Sequence, residues 1–181
     1  MNVEAPGIRE TTPPTRGPWA TGVAIAFALV PLAVGIGIGI AMDRKSQLGP
    51  LTATQVLWWV LIPLGAIYPT LAAYAKNHAY AGTTVLVVAA IAPALALAIR
   101  VLLDPLPTDR LGHTSVSMAT VAQRALPPAI LAAGTFIAIE VASAGMRRGP
   151  VLGIIGSIAA AIVLGGFLLL MVVWVSLQAT T

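Results

Sequence analysis

Glu140 is the only ionisable residue well inside an apolar run of this sequence, about five residues before Gly145. A carboxylate costs about 2.5–3.5 kcal/mol at the centre of a bilayer and less near its edge, so its presence there needs a reason. One reading makes it a proton- or cation-handling group that faces the interior of a helix bundle. The other keeps it near a helix end, where it reaches Arg147 or Arg148 or hydrogen-bonds a neighbour. A transport path needs several intramembrane polar groups, and no partner for Glu140 is evident in the other apolar runs. That argues against a proton relay.

Asp109 and His113 stand four residues apart, with Asp104 nearby. On a helix this spacing could share a metal ion. Gly112 and the surrounding prolines oppose a regular helix, and the other histidine, His78, falls on the opposite side of the membrane. No metal site and no cofactor is therefore expected. Two histidines, both in expected loops, do not support haem ligation within the membrane, and zero cysteines exclude thiolate ligands and disulfides. Ser115 and Ser117 lack the strand-turn-helix context of a serine nucleophile. The chain has no phosphate-binding loop, dinucleotide fingerprint or zinc-protease motif. No two carboxylates share a span, and nothing points to an enzyme.

The elements around these residues are apolar. Of 181 residues, 58% are hydrophobic and only 9% charged, against about 25% charged in soluble domains. The fold class expected is all-α, a polytopic integral membrane bundle of about five transmembrane helices. The net charge of +4 is spread in singles and pairs between apolar runs, where membrane topology places it, and implies no nucleic acid.

Residues 1–17 are polar and Pro-rich, lack the pattern of a secretory signal peptide, and are expected to be a flexible tail. Residues 18–177 form a single bundle with spans at about 18–42, 51–74, 81–103, 126–145 and 150–176. Pro31 should bend the first span, because the Phe27 carbonyl loses its helical donor. Pro63 and Pro69 interrupt the second and free the carbonyls of Trp59 and Gly65, for which Thr70 and tyrosine hydroxyls are available donors. Pro93 interrupts the third, which carries a small-residue ridge at Ala90, Ala94 and Ala98. Lys76, Asn77 and His78 read as a short polar loop flanked by interfacial Tyr74 and Tyr80. The loop 104–125 ends in a stripe of Met118, Val121, Ala122 and Ala125 that runs on to Leu126 and suits a short interfacial helix leading into the next span.

The last span carries the clearest pattern. Gly149, Gly153, Ser157, Ala161 and Gly165 recur every fourth residue, just over one helical turn, and make a ridge without side-chain bulk that another backbone can approach closely. Gly35 and Gly39 form a second, shorter pair of this kind in the first span. The expected function is a non-enzymatic multi-pass membrane protein, a small structural or accessory subunit of a larger integral-membrane complex, held to other membrane proteins or to itself by small-residue packing. The alternative is a small transporter or channel with Glu140 as its intramembrane ionisable residue. The Ala-, Gly-, Val- and Arg-rich composition suits a bacterial inner membrane. Basic residues divide five against five between the two sides, so orientation rests on the arginine pair before the last span. It places the N-terminus in the cytoplasm and the C-terminus outside.

Overall fold

The computed structural model describes residues 18–43, 65, 67–79, 82–103 and 117–178, all of them helix or short turn. Helix α1 is Pro18–Asp43. The described part of α2 covers residues 67–78. Helix α3 is Gly82–Leu103, α4 is Met118–Arg147 and α5 is Pro150–Gln178. The protein is an all-α helical membrane bundle. Among the described residues, three helices are long and apolar enough to cross a membrane, in α3, α4 and α5. At 1.5 Å per residue even the 22 residues of α3 span about 33 Å, enough for a hydrocarbon core of about 30 Å.

The bundle is built on small side chains. Its core holds Ala72 and Ala73 of α2, Leu86 and Ala89 of α3, Ala138, Ile139 and Ala142 of α4, and Ala160 and Leu164 of α5. Alanine at these positions lets backbones approach one another, which matters in lipid because apolar bulk alone gives no preference for protein over acyl chain. Helix α4 packs against both α3 and α5, and α1 packs against α3. Ala90 and Ala94 of the expected α3 ridge are buried. The outward faces stay apolar, with Ile154, Ile158, Ile162 and Leu169 of α5 all exposed. Such a face suits lipid and would be a liability in water.

Two boundaries differ from the expectation. Helix α4 begins at Met118 rather than near residue 126, so the expected interfacial stripe forms its first turns and the Pro127-Pro128 pair lies inside the helix. Both ends of that segment are held. The Ser117 hydroxyl caps the N-terminus by accepting the Thr120 N–H at 3.2 Å. Arg124 Nη1 donates to the Val101 carbonyl at 3.1 Å. Val101 lies in the last turn of α3, where carbonyls lack helical donors and a cation is favoured. These anchors offset the two N–H groups that the prolines lack. The second difference is that Lys76, Asn77 and His78 are the last turn of α2, not a loop.

Helices α4 and α5 form a hairpin. The N–H of Arg148 donates to Gly145 O and that of Gly149 to Met146 O, which closes the end of α4. Gly149 has φ +123°, a conformation that L side chains rarely adopt. Pro150 then opens α5 with its fixed φ at a position where no N–H bond is lost. Gly149→Ala is expected to destabilise the hairpin by about 1–3 kcal/mol. The shift should appear in SDS-driven unfolding monitored by circular dichroism.

Candidate functional site at the α2–α4 seam

The buried stripe of α2 runs through Pro69, Ala72 and Ala73. One further turn of the same stripe lands on Lys76 and Asn77. On α4, Glu140 and Ser143 are three residues apart and share a face. The two faces meet. Lys76 Nζ donates to Glu140 Oε1 at 2.5 Å. Asn77 Nδ2 donates to the Ser143 carbonyl at 3.3 Å, and the Ser143 hydroxyl donates back to Asn77 Oδ1 at 2.7 Å.

Glu140 therefore has its partner on another helix, and it is Lys76, not Arg147 or Arg148. The lysine side chain is the more enclosed of the pair, 12% exposed against 37% for the carboxylate. Ammonium and carboxylate enter the membrane region as a net-neutral unit, which removes most of the penalty either would meet alone. The Asn77–Ser143 exchange satisfies the next polar pair along the seam, and Ser143 is fully buried. Further along the helices, Thr135 donates to Leu131 O at 2.7 Å and Ser157 to Gly153 O at 2.9 Å. Among the described residues no buried side-chain nitrogen or oxygen lacks a hydrogen-bond partner.

His78 closes the same end of α2. Its Nδ1 lies 2.9 Å from Tyr74 O and its ring stacks on Tyr74 at 4.2 Å between centroids. Tyr74 and Trp19 are both exposed, as aromatic side chains at a headgroup boundary are. The ion pair thus lies beside the aromatic end of the bundle and not at its middle.

The small-residue ridge of α5 divides along its length. Gly149 forms the turn, and Gly153 is buried against Met146, whose Cα lies 3.5 Å from where a Cβ would be. Ser157 and Ala161 are half-buried. Gly165 is exposed, and none of the described residues lies within 4 Å of a Cβ placed on it. The residues that meet α4 most closely lie one step round the helix. A Cβ on Gly156 would stand 3.0 Å from Gly145 Cα, and one on Gly134 would stand 2.6 Å from Phe167 Cβ. Gly35 and Gly39 lie within α1, but their surroundings fall outside the described residues, as do Asp104, Asp109, His113 and Ser115. Ser117 serves as the cap of α4.

No protein-family model, curated protein or solved structure matches this chain. The functional reading rests on the geometry.

Proposed function

We propose that the chain is a structural or accessory subunit of a larger integral-membrane assembly, without catalytic chemistry of its own. The observation that carries this reading is the Lys76–Glu140 pair. The one carboxylate in the apolar part of the described helices is spent on joining α2 to α4. The neighbouring Asn77 and Ser143 satisfy each other. Intramembrane polarity is thus used to assemble the bundle. The exposed end of the α5 ridge around Gly165 supplies a surface that another helix can approach closely. The partner is another membrane protein or a second copy of the chain. The composition and the exposed Arg147 and Arg148 before α5 support a bacterial inner membrane with the N-terminus in the cytoplasm.

The test is purification from the native host in mild detergent, followed by native mass spectrometry. Other subunits, or further copies, in fixed stoichiometry support the reading. A monomer carrying only lipid contradicts it. A second reading, a small transporter or channel, draws on the prolines inside α1 and α3, which resemble the broken helices of transporters. Glu140→Gln in reconstituted vesicles tests it. Flux that is present in the parent and lost in the variant would favour transport over the subunit role.

A further inference from the structure

Pro31 in α1 and Pro93 in α3 each lack the N–H that a helix uses to bond the carbonyl four residues earlier. The carbonyls left without a helical donor are Phe27 O and Ala89 O. In a membrane such groups must find another donor. Both find the same one. The Tyr68 hydroxyl of α2 lies 3.0 Å from Ala89 O and 3.3 Å from Phe27 O.

We infer that Tyr68 is a shared latch that couples the proline sites of α1 and α3. A phenol has one proton to donate, so the two carbonyls compete for it. The shorter distance assigns most of the bond to Ala89 O and leaves α1 the more weakly held helix. Among the described side chains of α1, Ala20 and Ala24 are buried, while Ile25, Leu29 and Val30 are exposed. The Phe27 ring meets the Tyr68 ring edge-on at 5.5 Å and 72°, a contact that survives rotation of the hydroxyl about its C–O bond. Pro69, next to Tyr68, is fully buried and fixes that part of α2. The hydroxyl therefore sits between two helices that each carry an internal proline. Whatever supplies Ala89 O with another donor releases the proton to α1, and whatever draws α1 away strengthens the bond to α3. This device is independent of what the assembled protein does.

The sequence provides a direct reporter. Of its three phenylalanines, only Phe27 precedes an alanine, Ala28. Labelling phenylalanine with 13C at the carbonyl and alanine with 15N makes Phe27–Ala28 the one directly bonded labelled pair, so its carbonyl resonance is selected unambiguously. Hydrogen bonding moves a carbonyl resonance downfield. Tyr68→Phe is expected to move it upfield. Pro93→Ala restores a backbone donor to Ala89 O, frees the phenol proton for Phe27 O, and is expected to move the same resonance downfield, although the change lies in another helix. In SDS unfolding, Tyr68→Phe should lower the folded-to-unfolded ratio about tenfold. Most of that loss should vanish in the Pro31→Ala/Pro93→Ala background. An unmoved or upfield-shifted Phe27 carbonyl in Pro93→Ala, or an equal Tyr68→Phe loss with and without the prolines, overturns the inference. The Pro93→Ala arm stands even if Tyr68→Phe fails to fold.

Discussion

Gly156→Leu is expected to separate α4 from α5 and leave no stable bundle. A Cβ at this position would lie 3.0 Å from Gly145 Cα and 3.1 Å from Val141 O. Both are backbone atoms of α4, so no flexible side chain can swing aside. The approach is reciprocal, since a Cβ on Gly145 would stand 2.5 Å from Leu152 O. Leucine would force the two helices apart along the seam that holds Ala138, Ala142 and Ala160, all fully buried. Overpacking costs about 1–3 kcal/mol where a core can yield and more where backbone must move, so a loss of about 3 kcal/mol or more is expected. Against a total stability of about 5–15 kcal/mol, that is a large fraction. Gly153→Ala is the control, because its Cβ would meet Met146 Cα at an ordinary 3.5 Å. SDS-driven unfolding of the two variants beside the parent decides the point. A Gly156→Leu protein that unfolds at the parent's SDS fraction would show that the α4–α5 contact is not where the stability lies.

Lys76→Met is expected to have the next largest effect. It leaves Glu140 without its counter-ion at the α2–α4 seam. Removing one partner of a fully buried pair costs about 3–5 kcal/mol. Here the carboxylate side chain is 37% exposed, so screening and local hydration reduce the figure to about 1–3 kcal/mol. The informative comparison is the double variant Lys76→Met/Glu140→Met. An apolar pair of similar size has no charge to desolvate, and replacing both members of a buried ion pair is often neutral or better. The double variant should therefore be more stable than Lys76→Met alone. If the double variant loses the sum of the two single losses, the residues are not coupled and the pair is incidental.

The helices were largely legible in the sequence because they are written as unbroken apolar runs between charges. Pro150, Gly149 and the two arginines marked the α4–α5 turn, and the structure builds it from those residues. The ion pair was not legible, for a specific reason. Three polar residues in a row, Lys76, Asn77 and His78, resemble a loop on hydropathy. Helical phase carries the missing signal, since Pro69, Ala72 and Ala73 continue onto Lys76 and Asn77. The α5 ridge shows a related limit. A four-residue spacing of small residues identifies a bare stripe, but it does not tell which neighbour uses it. Helix α4 takes Gly153 of that ridge and, one step round the helix, Gly156 and Ala160, and leaves Gly165 open. The continuity of α4 through Pro127-Pro128 was also hidden, because proline pairs usually end a helix, and the contact from Arg124 to the distant Val101 carbonyl beside them carries no sequence signal.

The central claim is that this bundle exists to pack against other membrane helices. Gly165 offers the most direct test, since none of the described residues lies within 4 Å of a Cβ there. The Cβ of a leucine at that position meets none of the described residues. Parent and Gly165→Leu proteins would be purified in parallel from the native host and compared by native mass spectrometry, with SDS unfolding as the check on folding. The account predicts a parent assembly of fixed stoichiometry and a Gly165→Leu protein equally stable but depleted of its partner. Equal assembly in both would leave the open ridge as a lipid-facing surface, and a parent that is monomeric would contradict the subunit role itself.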